Sequence, residues 1–196
     1  MTMLDEDPFQ LSDMLRRFRI LRGMKQAHLA QLFRVSQSAV SKWENGTAAP
    51  SAEQHGQIIE ILGAKPSAVR DTWLARLVES SNERVHAICD ITHKLLIASP
   101  ARYTEWGTDR HDMFNRPLLQ DAPTDIVEAE RRFLSFAHRH ALEKPIVLKT
   151  EGQSLGRYQV EPGYLLWERL QLSDGTWVRL ATSITAERIP KGAIAV

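Results

Sequence analysis

The sequence predicts two domains of class α followed by α/β. The first is an all-α bundle of short helices. The second is an α+β domain built on an antiparallel sheet with helices. Three observations carry this reading. Apolar residues recur at helical spacing, in short runs, up to about residue 80. From residue 84 on, β-type runs flank a helical middle. The charge is also unevenly shared: from Arg16 to Pro50 there are seven basic residues and one acid, Glu44, whereas from Ser81 on fifteen basic and fifteen acidic residues cancel. A length of 196 residues suits two small domains.

Leu11, Leu15 and Phe18 repeat at helical spacing, with Ser12 or Asp13 near the start and Gly23 as the stop. A second short helix is expected to turn Leu29, Leu32 and Phe33 inward. The run from Phe33 to Ser36 breaks it. Ser36 is then a good N-cap for a third helix, from Gln37 to about Asn45, because its hydroxyl can accept from an orphan backbone N–H. Val40 and Trp43 form the apolar side of that helix, while Gln37, Ser38, Ser41 and Lys42 are polar. Asn45–Gly46 ends it. Pro50–Ser51 opens a fourth helix, with Ile58, Ile59 and Leu62 on its buried side. Short helices with a tight turn between the second and third make a helix-turn-helix unit. The local excess of positive charge is the footprint of a polyanion site.

Residues 11–62 resemble the Cro/CI-type (XRE family) helix-turn-helix domain. The resemblance rests on Arg19, Gly23, Gln26, Leu29, Ala30, Val35, Ser36, Val40, Trp43, Glu44, Gly46 and Pro50, in the family's order and spacing. It implies sequence-specific binding of double-stranded DNA, with the third helix in the major groove. On that reading Gln37 and Ser38 reach base edges, with Ser41 and Lys42 one turn on. A glutamine amide suits adenine N7 and N6. The resemblance makes Gln26 a phosphate ligand, with Arg22, Lys25, Asn45 and Thr47 as weaker candidates. It makes Arg19 and Glu44 an internal salt bridge. The helix-turn-helix domain is placed at residues 8–64.

Residues 65–83 read as a linker helix. Pro66 suits its first turn, and Val69, Trp73, Leu74, Leu77 and Val78 form an apolar stripe. The stripe could pack on the first domain or pair with a twofold mate.

Residues 84–196 read as the second domain. The runs 84–91 and 94–99 suggest a hairpin around Thr92–His93. A helical middle follows, broken at Pro100, Gly107 and Pro117. A longer helix then runs from Asp125 to His140, with Ile126, Ala129, Phe133, Phe136 and Ala137 inward. The runs 145–150, 164–172 and 177–185 read as three strands, the last two joined at Asp174–Gly175. The order of elements, and the turn after Asp90 with the exit at Ser99–Pro100, resemble a PAS domain over about residues 84–188. The resemblance implies a five-stranded antiparallel sheet with helices on one face, and a domain that dimerises and binds a small ligand of unidentified kind or none.

Neither a cofactor nor a metal is expected. Cys89 lies in the first predicted strand, outside any flavin-binding motif. His138 and His140 sit where some PAS domains place a haem ligand, but beside Arg131, Arg132 and Arg139 they read as a solvated basic face. Cys/His ligand spacing for zinc is lacking. Trp106, Trp167 and Trp177 read as core or dimer-interface residues. An enzyme is not expected. The stretch 151–163 loosely resembles the serine segment of LexA-like self-cleaving repressors, with Ser154 as nucleophile and Lys191 as base. Lys191, however, lies too near the last residue for a following strand to bury it. An antitoxin or adaptor that binds DNA to regulate its own synthesis is the other alternative.

The acidic opening stretch, residues 1–9, has no apolar core of a secretory signal, and no run is long enough to span a membrane. One cysteine suits a reducing compartment, so a cytoplasmic protein is expected. The expected whole is a DNA-binding transcription regulator that acts as a homodimer through its C-terminal domain and linker helix.

Overall fold

The computed structural model describes residues 11–62, 69–137 and 144–196. The chain separates into two compact units, residues 1–63 and 64–196.

The first unit is all helical: α1 (Leu11–Leu21), α2 (Gln26–Leu32), α3 (Gln37–Glu44) and α4 (Ala52–Leu62). Gly23, at φ +60°, closes α1, and the next N–H, that of Met24, reaches back to Arg19 O. Leu15, Phe18, Leu29, Ala30, Val40, Trp43, Ile58 and Leu62 make the core. Ile59 is only half-buried. The inward face of α2 differs from the expected one. Leu29 and Ala30 are buried, whereas Leu32 is 42% exposed. A helix of two turns buries one narrow stripe, and Leu32 falls off the line that joins Leu29 to Phe33 one turn on. Ser51 Oγ accepts from Gln54 N while Gln54 Oε1 accepts from Ser51 N, a reciprocal cap that starts α4.

The second unit runs α5 (Val69–Glu79), β1 (Val85–Cys89), β2 (Leu95–Ala98), α6 (Pro100–Trp106), α7 (Arg110–Met113), a 3-10 turn at Leu118–Asp121, α8 (Thr124–Ala137), β3 (Ile146–Thr150), β4 (Gly163–Gln171), β5 (Trp177–Ile184) and β6 (Ile194–Ala195). The sheet order is β2-β1-β5-β4-β3-β6. All pairings are antiparallel except β3 with β6. The five main strands and the intervening helices follow the PAS-like order read from the sequence. β6 is an addition: a strand does follow Lys191, because Ile194 and Ala195 pair with Ile146 and Val147.

Pro100 starts a helix instead of breaking one. It occupies the first turn of α6, where its missing N–H costs nothing, and Ser99 caps that turn by accepting from Arg102 N. Ser99 Oγ also donates to Glu83 O at 2.7 Å, which fastens the start of β1 to the end of β2. On α8, Ala129 and Phe133 are buried. The Phe136 and Ala137 side chains, and His138 and His140, lie outside the described residues.

The stripe on α5 divides. Leu74, Ala75 and Val78 pack against Val85, Ala87 and Ile97 of β1 and β2. Asp71 accepts from both the N–H and the hydroxyl of Ser173, at 3.2 and 3.1 Å, at the tip of the β4–β5 hairpin. Trp73 and Leu77, four residues apart and so on one face, are 58% and 70% exposed.

Charge as well as apolar surface is buried in this unit. Arg179 is held by Asp90 and Glu130 and lies over the rings of Phe133 and Trp167, at 4.4 and 4.5 Å. Burial alone would lower its pKa, but the two carboxylates outweigh burial and raise it. Arg169 donates to the second oxygen of Asp90 at 2.7 Å. Unpaired, each such ion would cost several kcal/mol to desolvate.

Candidate nucleic-acid interface

The candidate reading helix is α3. Its entry is set by Ser36, whose hydroxyl accepts from Ala39 N at 3.2 Å. Arg34, at φ +54°, takes the left-handed turn between α2 and α3. Val40 and Trp43 are buried, which anchors one side by about 1.5–3 kcal/mol per side chain. The other side carries Gln37, Ser38 and Lys42, all exposed, and Ser41, half-exposed. Ser38 Oγ lies 3.0 Å from Ser36 Oγ. So α3 presents a row of hydrogen-bonding side chains on a helix whose opposite face is buried.

The floor under this helix is a three-residue knot. Arg19 Nε and Nη2 donate to the two oxygens of Glu44, at 2.7 and 3.0 Å. Gln26 Nε2 donates to Glu44 Oε2 at 2.9 Å. The Glu44 side chain is only 1% exposed. One carboxylate thus joins α1, the start of α2 and the end of α3. A glutamine amide has two N–H donors. With one of them on Glu44, the second and the carbonyl oxygen stay available for an outside group.

The positive patch is smaller than the residue count suggests. Arg17 is buried and Arg19 is paired with Glu44. The exposed cations left in the stretch are Arg16, Arg22, Lys25, Arg34 and Lys42. Arg22 lies 4.4 Å over the Phe18 ring, which restricts where its guanidinium can reach. Asn45 is the C-cap of α3 and is exposed. Thr47 is exposed too, but its N–H and its hydroxyl both donate to Lys42 O, at 2.9 and 3.2 Å. It therefore finishes α3 and has no proton left for a phosphate.

The other candidates do not assemble a catalytic site. Ser154 is exposed in the β3–β4 loop, and Lys191 is exposed in the turn before β6. Neither stands in the dry setting that would make a lysine a base. The loop folds back closely on itself: a Cβ on Gly152 (φ +72°) would lie 2.4 Å from Val160 O. Cys89 is buried and its sulfur accepts from Thr92 N at 3.4 Å. Trp106 and Trp167 are core; Trp177 is half-buried beneath Arg169, 4.4 Å away. Among the described residues, no group of three or more His, Cys, Asp or Glu side chains could hold a metal, and no helix is long and apolar enough to cross a membrane.

Sequence reasoning missed the interior of the sheet unit. Arg102, Arg179, Asp90 and Glu130 are buried, although charged residues in a strand or helix read by default as solvated. A signal was present for Arg179, which alternates with Trp177 and Ala181 and so belongs to an apolar face.

Residues 15–69 match the helix-turn-helix family model. No curated protein matches the chain. Among solved structures, the PAS domain of an HTR-like protein from Haloarcula marismortui is similar, at 14% identity and a TM-score of 0.42, covering 67% of this chain and 98% of that one. The PAS domain of Bordetella pertussis BvgS is similar at 12% identity and 0.42, covering 59% of this chain and 85% of that one. Residues 15–69 thus carry a helix-turn-helix domain, which supports a DNA-binding transcription regulator, and they are followed by a unit whose strands and helices have the PAS-like order.

Proposed function

We propose that the protein binds a near-palindromic operator as a homodimer, with α3 of each copy in the major groove. The observation that supports this best is the row Gln37, Ser38, Ser41 and Lys42 on a helix fixed by the Arg19–Glu44–Gln26 knot. Gln37, in the first turn, reads a base edge, and adenine is the base its amide fits. Ser38 and Ser41 accept or donate beside it. Lys42 takes a guanine or a phosphate. Gln26, with Arg22, Lys25 and Asn45, binds the backbone and sets register without sequence preference.

A single unit of this size covers few base pairs, and two linked units gain from effective concentration. The exposed pair Trp73 and Leu77 on α5 suits an interface between two copies, because aromatic residues are enriched at such contacts. The domain limits that go with this reading are 8–64 for DNA binding, 65–83 for the connecting helix and 84–196 for the PAS-like part.

Selection from a random double-stranded library with the full chain tests the proposal. The expected product is a sequence with inverted half-sites about 34–36 Å apart or a multiple of that. Recovery of single half-sites only, bound by one copy, would refute the dimeric reading. Failure to enrich any sequence would refute base reading by α3.

A further inference from the structure

The PAS-like unit holds a small cavity of about 60 Å³. Ile88, Trp106, Tyr158 and Val160 give it apolar walls. The Tyr158 hydroxyl is committed to Leu118 O at 2.8 Å. Four basic side chains also line it: His86, His93, Arg102 and Arg179. His86 and Arg102 each have a nitrogen closed to solvent and without a protein partner: Nδ1 of His86 and Nε of Arg102. The remaining Arg102 nitrogens are engaged. Nη1 donates to Glu105, and Nη2 to the carbonyls of Arg84 and Ala181. Buried polar atoms without partners are few in folded proteins, and each costs roughly the desolvation of the group. Two of them belong to residues that line one cavity.

The charge around the cavity favours an anion. Burial lowers the Arg102 pKa to about 10; Glu105 offsets this only in part, and Arg84 adds to it. His86 is pushed well below its usual value by burial, then by the positive charges of Arg102 and Arg179. Glu130, which also lines the cavity, already accepts from both terminal nitrogens of Arg179. The size of the space limits the guest to a few non-hydrogen atoms, since on this measure one water molecule needs about 10–15 Å³.

We propose that this cavity binds a short-chain monocarboxylate, with the carboxylate accepting from Arg102 Nε and His86 Nδ1 and the alkyl part lying against Ile88, Trp106 and Val160. This assignment is independent of how the first unit reads DNA. It makes the PAS-like unit a receptor for a small organic acid of roughly two or three carbons.

The test uses the full chain in a carboxylate-free buffer at constant ionic strength. Sodium acetate, sodium propionate, sodium chloride, propionamide and 1-propanol are compared by thermal unfolding and by isothermal titration. Propionate or acetate is expected to raise the melting temperature of the PAS-like unit by about 8–13 °C at a hundredfold excess over its dissociation constant, and to give saturable heat. Chloride, propionamide and propanol should not. Ala122 also lines the cavity, and Ala122→Leu fills it; that variant should keep the unliganded melting temperature within about 2 °C and lose the response. His86→Leu removes an unpaired polar atom. It should leave the unliganded protein as stable or more so, and weaken binding at least about tenfold. Equal stabilisation by propionate and propionamide would overturn the proposal. So would no stabilisation by either acid, or a propionate response that survives Ala122→Leu.

Discussion

Arg19 grips Glu44 with two hydrogen bonds across twenty-five residues, at 2.7 and 3.0 Å, and the two ends of the pair are unequally buried: the Arg19 side chain is 18% exposed and that of Glu44 1%. That inequality sets a direction. Removing Arg19 strands a buried carboxylate with only Gln26 beside it. Removing Glu44 leaves a guanidinium that can turn toward water.

Arg19→Ala is therefore expected to destabilise fragment 1–64 by about 3 kcal/mol, and Glu44→Ala by less. The double variant should cost at least about 1 kcal/mol less than the sum. Urea unfolding followed by the fluorescence of Trp43, the one tryptophan before residue 64, gives all three values. Strict additivity would show that the pair is geometrically close but energetically idle.

Gln37→Ala and Gln26→Ala should separate recognition from positioning. The first is expected to reduce affinity for the selected operator by about 1–3 kcal/mol and to relax preference at one position in each half-site. The second should weaken binding to all sequences alike. Binding-site selection and fluorescence anisotropy at fixed salt measure both. If Gln37→Ala keeps affinity and preference, α3 is not the reader.

Trp73→Ser with Leu77→Ser should convert the full chain to a monomer at micromolar concentration, with the melting temperature of the PAS-like unit unchanged, because neither side chain is covered within its own unit. Analytical ultracentrifugation decides it. An unaltered dimer would place the interface elsewhere.

His86 gives a pH dependence whose sign follows from its environment. Its pKa in the folded protein is depressed by burial and by Arg102 and Arg179. As a residue it is partly covered, but its Nδ1 is shut off from solvent. The unfolded chain takes up the proton first, near the usual value of about 6.5. The stability of the PAS-like unit should therefore be full above that pH and fall below it, by at most about 1.4 kcal/mol per pH unit from this group. In His86→Leu the decline between pH 7 and 5 should be shallower. An identical profile in the variant would mean other groups set the acid limit.

Much of the first unit was legible because local rules and burial agree there. Ser36 caps, Gly23 and Gly46 stop, and Val40 and Trp43 sit three apart where α3 must be buried. The strands of the second unit were legible for the same reason, and Asp174–Gly175 marked their turn. What escaped depended on contacts distant in sequence. Arg179 meets Asp90 and Glu130 over separations of 89 and 49 residues, and no periodicity announces such a pairing. Leu32 was misplaced because a seven-residue helix is too short for its apolar spacing to choose one face. The two-residue strand β6 falls below the length at which alternation can be seen.

Asp71 has a consequence for where the chain can be cut. By gripping Ser173 it clamps the first half of α5 to a hairpin a hundred and two residues further on, while Val78 clamps the second half to β1 and β2. A truncation after residue 80 would amputate that scaffold and leave α5 as an eleven-residue peptide, too short to hold its helix in water. A protease acting on the intact protein should respect the same boundary. The fragment of this unit that survives digestion should carry α5 with it.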